Sequence, residues 1–235
     1  MSPNIAPLPD WELVLSAAAH LQQLLPKAVL VGGTASAIHA AHRYSQDADR
    51  VLADLRQHFD EVLLQLESVA GWKTARVQRP VQILGSLDGI ETGVRQLIRE
   101  VPLETTVVNY HGAPITIPTE GEILRIKGIL ILKRNATRDY LDFLALAEHM
   151  GNHQVALALQ SFDHLYPQDN GESSLQQLQV QLAHPQPYDL EEMELPEYKN
   201  LDPRWHDWQV VQSGCAHLAT IIFDQVCDLK TDHAP

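Results

Sequence analysis

Residues 31–50 read VGGTASAIHAAHRYSQDADR. The apolar run Lys27–Val31 (KAVLV) stops at Gly32-Gly33, which predicts a short buried strand ending in a tight turn. Thr34 to Ala41 is small and helix-friendly. Asp47 and Asp49 stand two apart at the start of a second strand-like run, 47–55. Residues two apart on a strand share a face, so both carboxylates can reach one ion. Hard dications such as Mg²⁺ prefer carboxylate oxygen. A glycine turn lets backbone N–H groups approach a phosphate with no Cβ in the way, and the helix N-terminus adds partial positive charge there. Gly32, Gly33 and the hydroxyl of Thr34 are therefore candidate phosphate ligands, and Asp47 and Asp49 a candidate metal pair. Taken singly, Gly-Gly means only a tight turn and Asp-x-Asp only a solvated face; order and spacing together carry the signal.

Working outward, residues 10–25 form an amphipathic helical pattern with Asp10 as expected N-cap and Pro26 as stop. Residues 59–69 are a second such helix. Residues 72–84 and 103–117 hold strand-like runs, and 119–165 is helical with breaks near Asn135 and Gly151. The stretch 166–207, rich in Pro, Gln and Glu, reads as a loop-rich or partly disordered surface extension. A last helical segment, 214–229, is expected to dock back. The chain thus divides into a sheet-containing core (1–118), a helical subdomain (119–165) and an acidic C-terminal extension (166–235).

The 235 residues suffice for one large domain or two small ones. Lys plus Arg number 17 against 30 Asp plus Glu, a net charge of -13. That excludes nucleic-acid binding by bulk charge alone, because phosphate neutralisation needs clustered cations. From Asp163 onward there are 13 acidic and 3 basic residues, so the acidity sits mainly in the tail. The 2 Cys cannot build a disulfide framework. The 12 His show no zinc spacing, and core or surface roles are expected for them, His42 and the pair His149/His153 included. No stretch has the uninterrupted apolar length of a membrane span. The N-terminus MSPNIAPLPDWELV has no basic start before an apolar run, so no secretion signal is expected and a cytoplasmic protein is.

Gly32-Gly33-Thr34 followed by Arg43-Tyr44-Ser45-Gln46-Asp47-Ala48-Asp49 resembles the first two motifs of the AbiEii-type nucleotidyltransferases, members of the DNA polymerase β-like superfamily. Further on, 122–143 reads EILRIKGILILKRNATRDYLDF. There Lys127 is similar to the family's helical lysine, and Arg138-Asp139-Tyr140-Leu141-Asp142 to its closing motif. The resemblance covers about residues 31–146 and stops before the acidic tail. It implies an α/β (α+β) fold, with a small mixed sheet and flanking helices as the nucleotidyltransferase core. It also implies a Mg²⁺- or Mn²⁺-dependent enzyme that transfers NMP from an NTP to an acceptor hydroxyl. Asp47 and Asp49 would be catalytic and hold metal; Gly32, Gly33, Thr34, Arg43, Ser45, Lys127 and Asp139 would bind nucleotide. It further implies a toxin-like role, with RNA, tRNA or a protein as acceptor and a cognate antitoxin as partner.

The superfamily has a third carboxylate on a later strand. Glu104, opening LETTVV (103–108), is the first choice and Asp88, in the turn GSLDG (85–89), the second, with a turn role better suited to it. Lys127 sits among Ile123, Ile126, Ile129 and Leu130. A buried lysine needs a counter-charge, supplied by a metal-bound triphosphate or by Asp139. Arg50 departs from the family pattern, which has an apolar residue there, and must face away from the carboxylates if they are to hold metal. Arg50 and the open choice of third carboxylate favour a rival reading, a non-catalytic member that binds nucleotide or protein. A small-molecule (aminoglycoside-like) nucleotidyltransferase would use the same site with another acceptor.

Overall fold

A computed structural model describes residues 11–192 and 194–232. The expected N-cap Asp10 lies outside the described residues. Two compact units emerge. The first comprises residues 1–34, 45–100 and 105–117, and the second 35–44, 101–104 and 118–235.

The first unit opens with α1 (Trp11–Leu24), whose Val14, Ala18 and Leu21 recur at helical spacing and are buried. Then come β1 (Val29–Leu30), α2 (Gly32–Ala40), whose later residues belong to the second unit, β2 (Arg50–Leu52) and α3 (Phe59–Glu67). The strands β3 (Trp72–Gln78), β4 (Gln82–Leu87) and β5 (Ile90–Gln96) follow, with the hairpin β6 (Thr105–Tyr110) and β7 (Ala113–Pro118) last. The main sheet runs β1-β2-β5-β4-β3; β6 and β7 pair with each other in a second sheet. Only β2 and β5 run parallel; the other pairs are antiparallel. α1 packs on β5 and β6, and α3 on β3. The architecture is the expected small mixed sheet with flanking helices.

β5 is a strand that the sequence reading passed over. Its Ile90, Thr92 and Val94 are buried while Glu91 and Arg95 are exposed, the alternation of a strand with one solvated face. Asp88 and Gly89 both have positive φ, 52° and 85°, between β4 and β5. That is the backbone of a two-residue primed turn, and it settles Asp88 as a turn former. His111 and Gly112 repeat this conformation between β6 and β7.

The second unit is helical: α4 (Glu120–Arg134), α5 (Thr137–Met150), α6 (Asn152–Leu159), α7 (Phe162–Leu165), α8 (Ser174–Ala183) and α9 (Trp208–Asp232). Thr119 caps α4, its hydroxyl accepting from the Glu122 N–H, and Asn135 closes it in the left-handed conformation. Gly128 permits close approach: a Cβ there would stand 2.9 Å from Leu178 and 3.1 Å from Phe162. One buried cluster draws on α4, α5, α6, α8 and α9, including Leu124, Phe143, Leu159, Leu178 and Leu218. The stretch 166–207 is therefore not a loose extension. Leu175, Leu178 and Leu182 of α8 are buried, and Trp205 is fully enclosed. Their apolar spacing is masked in the sequence by the glutamines between them. Among the described residues, no helix is long and apolar enough to cross a membrane.

Candidate active site

The first unit brings the glycine turn and the paired aspartates together. β1 and β2 pair with Leu30 opposite Arg50, and the Val31 N–H continues the ladder to the Asp49 carbonyl at 2.9 Å. The next residue, Gly32, has φ 75°, which a side chain would strain, and α2 begins there. The helix N-terminus thus emerges beside the acidic strand. Thr34 is fully buried, and its hydroxyl donates to the Asp47 carbonyl. That hydroxyl is spent on positioning Asp47, not on presenting itself to a phosphate as the sequence suggested.

β2 is shorter than the 47–55 run expected from the sequence, and Asp47 and Asp49 lie in the extended segment just ahead of it. Burial alternates there all the same: Ala48 and Arg50 are buried while Asp47 and Asp49 are part-exposed, so the two carboxylates share the outer face. The Ser45 hydroxyl donates to Asp47 Oδ1 at 2.7 Å, and Arg95 Nη2 lies 3.5 Å from Asp49 Oδ2. Asp47 bridges to Glu91 of β5; the Ala48 N–H donates to the Glu91 carbonyl at 2.9 Å, and the Thr92 hydroxyl to the Ala48 carbonyl at 2.7 Å. Gly93 makes room: a Cβ there would stand 2.5 Å from Leu84 Cδ2 and 3.2 Å from Asp49 Oδ1.

Arg50 faces away, as a metal-binding pair requires. It is fully buried, donating to Gln22 Oε1 at 2.8 Å and to the Ala18 carbonyl. Burial pushes its guanidinium down to about 9, which leaves it cationic at neutral pH.

Glu104 makes its ion pair outside the first unit. It belongs to the second unit, just ahead of β6, and its carboxylate lies 2.8 Å from Arg125 Nη2. The strand after it, β6, pairs with β7 in the second sheet. The acidic residue that the sheet places beside Asp47 is Glu91, on the exposed face of β5. Its signal in the sequence was the alternation of IETGVRQ (90–96) directly after an Asp-Gly turn.

Arg43, Lys127 and Asp139 are placed in the second unit, in a buried ion network centred on Asp142. Arg43 grips Asp142 with two parallel hydrogen bonds of 2.8 and 3.0 Å. Lys127 Nζ lies 2.6 Å from Asp142 Oδ2 and 3.4 Å from Asp139 Oδ1, and His42 Nε2 lies 2.7 Å from Asp142 Oδ1. Arg134 closes on Asp139 at 2.5 and 2.6 Å. Asp139, Asp142 and Lys127 are almost wholly enclosed. Burial alone would raise the Asp142 pKa, but Arg43, Lys127 and His42 hold it well below the usual carboxylate range. The counter-charge that Lys127 required is thus supplied from within, by Asp142 as well as the anticipated Asp139.

Among the described residues, no group of three or more His, Cys, Asp or Glu side chains is gathered tightly enough to hold an ion. What the first unit offers is the pair Asp47 and Asp49 with Glu91 alongside, all hard oxygen donors. That donor chemistry, with the space left by Gly93, fits a small dication such as Mg²⁺ or Mn²⁺ and not a soft metal.

A candidate nucleotidyltransferase from H. pylori superposes at a TM-score of 0.53, with 17% identity, covering 93% of this chain and 96% of that one. The chain has that fold. ANT(2'')-Ia in complex with adenylyl-2''-tobramycin superposes at 0.49, with 12% identity, over 66% of this chain and 98% of that one. No protein-family profile matches the sequence. In sequence, the chain is 34% identical over 132 residues to the mycolic acid-containing lipids exporter MmpL11 of Mycolicibacterium smegmatis. That match takes in 54% of this chain, which spans only 13% of the exporter's length.

Proposed function

We propose that the chain is a nucleotidyltransferase, dependent on Mg²⁺ or Mn²⁺, that moves an NMP from an NTP to an acceptor hydroxyl. One observation carries the reading: Asp47 and Asp49 share the outer face of the extended segment leading into β2, whose Asp49 carbonyl accepts from the Val31 N–H just before the Gly32 turn that opens α2. The N–H groups at Gly32 and Gly33 would receive phosphate oxygens. Asp47 and Asp49 would hold the dication, which when bound supplies neutralisation of the phosphate charge. Ser45 fixes the Asp47 carboxylate and Thr34 its backbone, so the pair enters the reaction already oriented. The acceptor oxygen forms a bond to the α-phosphorus as the bond to pyrophosphate breaks. Glu91, whose backbone bridges to Asp47, would take the acceptor's proton. Arg43, held on Asp142 together with Lys127, lies just ahead of Ser45 in sequence and fixes the chain entering the Ser45–Asp47 hydrogen bond.

The AbiEii-like motifs support RNA, tRNA or protein as acceptor and a cognate antitoxin as partner. The test is transfer of label from each common NTP, with Mg²⁺ or Mn²⁺, to total RNA and to lysate protein. Asp47→Ala serves as control. Label that appears with the native chain and vanishes with the variant supports the reading; equal label from both, or none from either, overturns it.

A second reading is a member that binds nucleotide without transferring it. The approach of Arg95 to Asp49, which offsets one of the two charges, favours it. Calorimetric binding of Mg-NTP with no transfer to any acceptor, in the native chain and in Arg95→Ala alike, would establish it.

A further inference from the structure

The outer face of the main sheet continues from the paired aspartates to the edge strand β3. Asp47 bridges to Glu91, which pairs with Ser86, which pairs with Lys73. Two residues along, Asp49 stands beside Gly93, which pairs with Leu84, which pairs with Arg76. Each aspartate thus heads a cross-strand row that ends on a cation. A β-bulge makes the two rows agree. Thr74 pairs with Gly85 and Arg76 with Leu84, so Ala75 is the extra residue. In a regular strand residues three apart point to opposite faces; the extra residue brings Lys73 and Arg76 to the same one. The covered face is the other. Ile83 and Leu87 of β4 are buried on it, the Thr74 hydroxyl meets Glu67 of α3 there, and Arg50 meets Ala18 of α1.

Lys73 and Arg76 are exposed, and neither has an ion pair among the described residues. The chain carries a net charge of -13, so bulk charge repels a polyanion and only a local patch of this kind can hold one. The two cations stand two ladder positions apart, about 7 Å along the strand. With strands spaced about 4.8 Å, the backbone of Lys73 lies about 10 Å from that of Glu91, and the backbone of Arg76 about 14 Å from that of Asp49. The floor between is low, with Gly93 and Ser86 on it. The Gly32 turn lies on the opposite side of the aspartates, next to β1. In the proposed reaction the NTP phosphates take that side, which leaves the β5 side to the acceptor.

Resting on the transfer reading above, we propose that this face is the acceptor track and that the acceptor is RNA, its single-stranded end laid across β5 and β4 with the phosphates behind the reacting nucleotide on Lys73 and Arg76. A ribose hydroxyl reaches Asp47, Asp49 and Glu91 while the cations hold the strand that carries it. RNA presents evenly spaced phosphates to cations this far apart, with a hydroxyl on the same strand. An acidic protein segment has its carboxylates on flexible side chains and a hydroxyl only where Ser, Thr or Tyr falls.

The probe is a short single-stranded RNA with a 5′ fluorescein and a free 3′-hydroxyl. It is titrated with the full chain in Mg²⁺ without NTP and followed by anisotropy across a salt series, with polyglutamate beside it. RNA is expected to bind and polyglutamate is not. Lys73→Gln and Arg76→Gln should each weaken binding about fivefold and reduce the slope of log Kd against log salt by about 0.7, one phosphate contact apiece. Lys133→Gln, at an exposed lysine of α4, should change neither. In the transfer assay the two sheet variants should raise the KM for RNA and leave that for NTP unchanged. RNA held by Lys73 and Arg76 in a chain that transfers nothing would refute the transfer reading and leave the RNA site standing; transfer to protein with no RNA binding would overturn the site alone. Indifference to Lys73→Gln and Arg76→Gln, an equal loss in Lys133→Gln, or polyglutamate binding as tightly as RNA would overturn it too.

Discussion

The two aspartate pairs of this molecule use the same side chain in opposite ways. Asp47 and Asp49 are part-exposed, with the Ser45 hydroxyl on Asp47 and Arg95 beside Asp49. Asp139 and Asp142 are fully enclosed and ringed by Arg43, Lys127 and Arg134. The first pair stays open to solvent; the second is spent on holding the chain. Exposure and the count of cations around each carboxylate separate the pair proposed to react from the buried one, where motif spacing does not.

The sharpest way to break that contrast is to exchange the expected phenotypes. Asp47→Ala and Asp49→Ala should each lower nucleotide transfer by at least about 10³-fold, or ~4 kcal/mol. Thermal stability should move by less than ~1 kcal/mol, since the exposed contacts they lose are weak. Asp142→Ala should do the reverse to the fold, costing ~3–5 kcal/mol because Arg43 and Lys127 would be left buried and uncompensated. Differential scanning calorimetry beside a transfer assay reads both, and an unfolded Asp47→Ala protein would erase the distinction.

Glu91→Gln set against Glu104→Gln sharpens it further. The first should cost about 10²-fold in transfer; the second should leave transfer alone and change stability by under ~0.5 kcal/mol, as its ion pair with Arg125 is half in solvent. If Glu104→Gln proves the damaging change, the assignment of the third carboxylate is wrong. Gly93→Ala should cost ~1–2 kcal/mol by overpacking, with a larger loss of transfer as the new Cβ displaces Asp49. A crystal structure of that variant shows whether the carboxylate moves.

The smallest effect is with pH. The Asp142 pKa is lowered on folding, so the stability it contributes is fully present above the unfolded value, about 3.9. It is lost as pH falls through the folded value. Acid titration of the native chain should show this loss beginning below about pH 4, and Asp142→Asn should flatten that part of the curve.

The sequence made the turn and the acidic strand legible because each rests on local chemistry: an apolar run, glycines that allow positive φ, and period-two spacing. Lys127 was legible as a buried charge in need of a partner, and Arg50 as a residue that had to turn inward. Three things were not. The hydroxyl of Thr34 looked available because its partner, the Asp47 carbonyl, is a backbone atom that no motif records. Glu91, the proposed base, was missed because Gly93 breaks the side-chain alternation of β5, and its parallel neighbour β2 lies far earlier in the chain. α8 was hidden because its three buried leucines are separated by glutamines and flanked by acidic loops, a composition that reads as solvated chain.

Arg50 carries one consequence beyond its own hydrogen bonds. Sliding the acidic strand by a single residue against its neighbours would invert every side chain on it. The guanidinium would swing outward beside the place meant for a dication, and a naked carboxylate would be driven among Ala18, Ala28 and Gln22. Both halves of that exchange are uphill, so an inward-turned arginine works as a ratchet on strand alignment, fixing which way the two aspartates point.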